Sequence, residues 1–340
     1  MRLLLKRGAL LAGANWPLVA IQFVAETTFQ VLLAVPVVGA SILVAVLLGA
    51  DLAELLQRSL REIFATIAST LMSEPVALVS FVTSFFLVLL GGSVLMFLVK
   101  GGTVDVLVAA NSAAGPIERE PIAIDILRTA SHFTLQRFID GCARLFRPYL
   151  KVGLILMVIY ALSGGGYLAL VVYGYRAAEG RALIIGWALI AALAAGLLVA
   201  WITLVNVVYL LVQIALAVEG GGLIEASRAV SRFIYAEFRE LVSVVGVVLV
   251  LVVAATFASA LAWSGMGLIA FVPLVGLAVF PLQIAALLVR GLVFEYLGLT
   301  ALCAYVTLYA GHVARRNEAA TARPTELRSE PYEVLTSDER

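Results

Sequence analysis

The chain has 340 residues, 63% of them hydrophobic and 13% charged, with a formal net charge of +1. A soluble domain is nearer half apolar and a quarter charged, so one aqueous core cannot hide this much apolar surface and a bilayer must solvate it. The small net charge excludes a global basic surface for nucleic acid, and two cysteines, Cys142 in a polar loop and Cys303 in an apolar run, exclude a disulfide framework or a paired-cysteine metal knuckle.

Taken in chain order, the first feature is Arg2, Lys6 and Arg7 ahead of a short apolar stretch. Gly13, Asn15 and Pro17 break that stretch and no small-x-small cleavage site follows, so it reads as an uncleaved cytoplasmic start rather than a signal peptide. A span needs about 20 predominantly apolar residues. Runs at 28–50 (its helix starting near Pro17), 75–99, 152–173, 182–218 and 241–263 meet this plainly. A last apolar stretch, 265–313, is interrupted by Pro273, Pro281, Arg290 and Glu295, and holds either one span or two.

Cationic loop residues decide between them. With six spans, the last at 282–313, one side collects Arg2, Lys6 and Arg7, then Lys100, Arg119, Arg128, Arg137, Arg144, Arg147 and Lys151, then Arg228, Arg232 and Arg239, then the tail. The other side holds Arg58, Arg61, Arg176 and Arg181. The expectation is an all-α, polytopic bundle in the inner (plasma) membrane of a bacterium, both termini cytoplasmic, with 265–280 as an outer-side hairpin or half-helix held open by its two prolines. The fourth run is overlong: at 1.5 Å per residue its 37 residues make about 55 Å of helix against about 30 Å of hydrocarbon. It must tilt, kink near Gly186 or Gly196, or protrude and join the next helix after Gly220, Gly221 and Gly222.

Between the runs, 52–71, 122–146 and 223–241 carry charges on one stripe and Leu, Ile or Phe on the other, as interfacial helices do. Two of these share letters: Arg137-Phe138-Ile139 recurs as Arg232-Phe233-Ile234, and Phe146-Arg147 as Phe238-Arg239, which hints at a repeated unit. The last segment, 315–340, loses the apolar pattern and reads as a disordered cytoplasmic tail.

Polar side chains inside a membrane are costly and are the default functional candidates. Gln22, Glu26 and Gln30 repeat every four residues and share a helix face, as do Asn206, Tyr209 and Gln213. Gln283 and Arg290 share a face of the last span; Glu295, five residues beyond Arg290, lies about 140° round the helix from it. Arg290 needs a partner, and Glu26 is the acidic residue available in another span. Each group has a plainer reading too: Glu26 in the headgroup region, Asn206 and Gln213 as glue between helices, Arg290 in a structural ion pair or snorkelling. Gly91-Gly92, Gly164-Gly165-Gly166 and the Ala192/Gly196 pair read as close-packing sites.

The run Val218-Glu219, three glycines, then Glu225-Ala226-Ser227-Arg228-Ala229-Val230-Ser231-Arg232 ahead of a span resembles the six-helix membrane domain found beside some glycerophosphodiester phosphodiesterases. The resemblance covers 17–316 in layout and that one stretch in letters. It implies a bacterial helical bundle; no phosphodiesterase residues are present, so it implies no enzymatic role.

No zinc-protease motif, cofactor motif or metal-ligand spacing occurs, and His132 and His312 stand far apart. The favoured reading is a non-catalytic scaffold or envelope-associated module, its partners the lipid bilayer and another membrane protein or a second copy. The alternative is a transporter or lipid translocator with its site near the proline-broken last span.

Overall fold

The computed structural model describes residues 2–48, 73, 75–119, 124–179, 184–270 and 275–326. The helices are α1 (Arg2–Ala14), α2 (Trp16–Leu48), α3 (Pro75–Ala113), α4 (Ile124–Ala130), α5 (Leu135–Glu179), α6 (Ile184–Glu219), α7 (Leu223–Ala236), α8 (Phe238–Ala270) and α9 (Val275–Glu326). There is no strand among the described residues. Backbone polar groups have no partner in hydrocarbon, so segments this apolar satisfy them internally as helix. Six of the helices, α2, α3, α5, α6, α8 and α9, are long and apolar enough to cross a membrane, as the hydropathy pattern predicts.

The main buried cluster lies at one end of the bundle. The core is built from Leu11 and Leu18, Val104 to Ala110 of α3, Leu145 and Tyr149 of α5, Leu211 to Ala217 of α6, Phe233 of α7 and Leu299 to Tyr309 of α9. The other halves of the spanning helices expose their apolar side chains, for example Leu162, Leu193, Val250 and Leu288. Lipid supplies no hydrophobic force to drive helices together, and the outward halves are joined by local contacts, as where Trp201 Nε1 donates to Ser163 Oγ (3.0 Å) and the Tyr167 hydroxyl to the Ala191 carbonyl (3.4 Å) between α5 and α6.

Hydrogen bonds hold the packed end. Arg7 directs its guanidinium onto the C-terminal end of α3, donating to Asn111 Oδ1 (3.1 Å), the carbonyls of Asn111, Ala114 and Gly115 (3.1, 3.0 and 2.9 Å) and Glu118 (2.9 Å). These carbonyls are among those a helix end leaves unpaired. Asn15, fully buried between α1 and α2, donates to the Leu11 and Ala130 carbonyls (both 3.0 Å) and accepts from the His132 and Phe133 amides (3.0 and 3.1 Å). Gly8 lets α1 approach α9: a Cβ there would stand 2.5 Å from the Thr300 carbonyl oxygen. Ion pairs Arg144–Asp105, Arg315–Glu237 and Arg316–Glu219 lie at this same end.

Several sequence expectations change. The predicted amphipathic helix 122–146 is two pieces, α4 and the start of α5, separated at 131–134 where Asn15 takes the amides. Cys142 lies in α5, buried against Gly102, rather than in a loop. The two letter-repeats bury the same aromatic, Phe138 and Phe233, but the first begins a continuous helix and the second belongs to a separate one that ends at Ala236. The described part of the long fourth run is one helix, Ile184–Glu219, that turns into α7 through Gly220, at φ +66°, a conformation that favours glycine. Helix continues through 315–326, past the end of the apolar pattern, in a stretch rich in alanine, glutamate and arginine. The stretch 265–280 runs as helix to Ala270 and from Val275. The predicted helix at 52–71, residues 271–274 of the expected hairpin or half-helix and the end of the tail at 327–340 fall outside the described residues.

The glycine expectations also split. A Cβ at Gly91, Gly164, Gly165, Gly166 or Gly196 would meet nothing within 4 Å, so none of these is a close-packing site. Gly92 is one: the Phe29 ring of α2 occupies the space a side chain would need.

Candidate functional site

Where the packed end gives way to the outward halves, α2, α3, α5, α6 and α9 enclose a cavity of about 1120 Å³. Its base is polar. Glu26 and Gln22 enter from α2, Lys100 and Thr103 from α3, Gln213 from α6 and Glu295 from α9. Its walls are apolar, among them Leu33, Phe86, Leu90, Leu154 and Val158. Phe86, Leu90, Leu154 and Val158 are themselves exposed on the bundle surface, so the cavity is open at the side.

The helical repeat places these groups. Gln22, Glu26 and Gln30 form one stripe, as their spacing predicts, and all three line the cavity. Gln22 donates to Thr103 Oγ1 (2.8 Å), fastening α2 to α3, and Gln30 donates to Glu26 (3.3 Å). The carboxyl groups of Glu26 and Glu295 come within hydrogen-bonding reach of each other across α2 and α9. Lys100 faces both, its ammonium 5.8 Å from the centre of the Tyr209 ring. Away from bulk water such charges act on one another, and on anything that enters, far more strongly than at a wet surface.

The stripe on α6 divides its work. Asn206 accepts from the Tyr160 hydroxyl of α5, a helix-to-helix bond of the kind worth about 1 kcal/mol or less. Tyr209 accepts from Gln213 Nε2 (2.7 Å) and supplies the ring beneath Lys100. Gln213 has no exposed surface, and its carbonyl accepts from the Tyr149 hydroxyl (2.8 Å). Its side-chain Oε1 has no hydrogen-bond partner.

Gln283 and Arg290 do not line the cavity. Arg290 is exposed and stacks over Phe294 at 5.7 Å, so the expected pairing with Glu26 does not form. The reason is angular. With Glu295 turned inward, Arg290, about 140° away on the same helix, is turned outward. The cation facing the acidic pair is Lys100, which sequence reasoning assigned to a cytoplasmic loop because it follows an apolar run. The available signal was Lys100-Gly101-Gly102-Thr103: Gly102 seats α3 against Phe138 and Cys142 of α5 and so keeps Lys100 inside a helix. No group of three or more His, Cys, Asp or Glu side chains placed to hold a metal ion occurs among the described residues.

The stretch resembling the phosphodiesterase-associated domain performs structural tasks. Glu225 accepts from the Gly222 amide (3.1 Å) at the start of α7, and Glu219 accepts from the Tyr309 hydroxyl and from Arg316. No family model, no curated protein and no solved structure matches the chain. The fold, with six helices long and apolar enough to span, is that of a multi-pass helical membrane protein, and its cavity carries charged groups and opens at the exposed apolar side of the bundle.

Proposed function

We propose that this protein binds an amphiphilic molecule in the side-open cavity and moves it within or across the bilayer, as a lipid translocator or carrier. The observation that supports this is the division of the cavity into a base bearing Glu26, Glu295 and Lys100 and apolar walls such as Phe86 and Leu90. Such a surface matches a polar head and a hydrocarbon tail together. The scaffold or envelope-module reading favoured from the sequence leaves this cavity unexplained, and no step of covalent chemistry is assigned to the site.

The proposed site sits one helical turn and more beyond Arg290, on the same last span. The proposed orientation puts the packed end, with Arg7, Arg144, Arg147, Arg232 and Arg239, in the cytoplasm of the inner membrane, both termini included. Labelling of single cysteines introduced at Arg2 and Arg176 with a membrane-impermeant thiol reagent tests it: the first is protected in intact cells and the second reacts.

The functional test is flux. The full chain is reconstituted in vesicles with a fluorescent phospholipid analogue, and its leaflet exchange is followed by quenching from one side. Ser93→Trp fills the cavity from α3. The expected result is exchange faster than in protein-free vesicles and slowed at least about tenfold by the substitution, the loss of about 1.4 kcal/mol of binding. Equal rates with and without protein, or equal rates for the parent and the Ser93→Trp variant, overturn the proposal.

A further inference from the structure

Hydrogen-bond acceptors gather at the cavity base. Glu26 and Glu295 present carboxyl oxygens there, and Gln213 Oε1, fully buried in a side chain that lines the cavity, has no donor at all. Each nearby amide makes one hydrogen bond to another group: Gln213 Nε2 to Tyr209, Gln22 Nε2 to Thr103 and Gln30 Nε2 to Glu26. A buried acceptor without a partner is costly, and native structures satisfy such groups with water or with a ligand. Here the orphan oxygen belongs to the same wall as two acidic side chains.

We propose, resting on the amphiphile reading above, that the headgroup selected is a primary ammonium. Its N–H groups would donate to Glu26, Glu295 and Gln213 Oε1, and its positive charge would meet the acidic pair. A phosphate carried on the same head would find Lys100, the cation beside them. A quaternary ammonium brings charge but no donor, and leaves Gln213 Oε1 unpaired. An anionic head with no amine brings negative charge to two carboxyl groups. A site built to hydrogen-bond a ligand N–H rejects the analogue lacking it far more strongly than an apolar pocket rejects an altered chain. The volume of about 1120 Å³ exceeds the usual range of about 300–1,000 Å³ for small-molecule sites, which leaves room for a head and part of a tail.

The test is retention by the purified full chain. It is equilibrated in detergent with equal amounts of phosphatidylethanolamine, phosphatidylcholine and phosphatidylglycerol of identical acyl chains, and retained lipid is counted by native mass spectrometry. Phosphatidylethanolamine should be retained at least about tenfold over either competitor. Glu295→Gln and Gln213→Met, both close in shape to the original side chains, should each reduce that ratio to within about twofold while lipid still binds. If Glu295→Gln does not purify as a monodisperse protein, Gln213→Met provides the same readout. Equal retention of the three lipids, with Ser93→Trp still abolishing retention, overturns amine selection and leaves the cavity reading standing. A preference for phosphatidylethanolamine that survives both substitutions overturns the assignment to these residues. Retention unaffected by Ser93→Trp removes the amphiphile reading itself, and this inference with it.

Discussion

Replacing Asn15 with leucine removes a side chain that holds the α1–α2 junction to the segment between α4 and α5. The position is fully buried, and a leucine side chain offers no polar atom in place of the lost amide. The Leu11 carbonyl keeps a partner, the Asn15 backbone amide at 3.2 Å. The Ala130 carbonyl and the His132 and Phe133 amides lose theirs. Each buried group left unpaired costs about 1–3 kcal/mol, so the expected destabilisation is about 3 kcal/mol at the least and about 9 at the most. Part is recovered by burying an apolar side chain, which favours the lower half of that range. For a chain of 340 residues about 3 kcal/mol corresponds to a fall of about 4 °C in Tm. Thermal unfolding in a fixed detergent reads it, and hydrogen exchange at His132 and Phe133 gives a local readout, since both amides lose their protection. A Tm within about 2 °C of the parent, with those amides still protected, would refute the reasoning.

Four further outcomes follow from the same geometry. Arg7→Lys keeps the charge but replaces a five-donor fork with three donors, so Tm should fall by the equivalent of about 2–4 kcal/mol, measured by the same melts. Gly8→Leu forces α1 off α9, because the Thr300 backbone has nowhere to move; limited proteolysis should then cut between α1 and α2, which the parent resists. Gly165→Leu and Gly196→Leu meet open space and should leave Tm unchanged within about 0.5 kcal/mol, whereas a large loss would restore the close-packing role. Tyr149→Phe leaves the Gln213 carbonyl without its side-chain donor and should cost about 1 kcal/mol by denaturant-induced unfolding.

The membrane class and the six spanning helices were legible because they rest on composition and run length, which need no tertiary information. The stripes Gln22/Glu26/Gln30 and Asn206/Tyr209/Gln213 were legible for a related reason: helical phase follows from spacing alone. What phase does not fix is which face turns inward. The angle between Arg290 and Glu295 already required one of them to turn away from the cavity, and only the docking of α9 against α2 decides that it is Arg290. Lys100 was missed because a cation after an apolar run normally marks the membrane boundary; here α3 continues to Ala113, and Gly102 holds it against α5. The packed end was hidden for another reason. Arg7 and Asn15 bind backbone groups more than 100 residues away, and backbone acceptors leave no mark in the letters of a sequence.

The side opening changes what affinity can mean for this cavity. In the proposed bilayer setting its walls, with Leu90 and Val158 exposed outward, would exchange contents with acyl chains rather than with water. A tail that enters leaves one hydrocarbon medium for another, and the transfer term of about 25 cal/mol per Å² that dominates aqueous binding falls close to zero. Lengthening the tail therefore gains almost nothing, and discrimination between ligands falls to the few polar atoms at the base. A single charge change at Glu26 or Lys100 would alter selectivity more than any remodelling of the larger apolar wall above them.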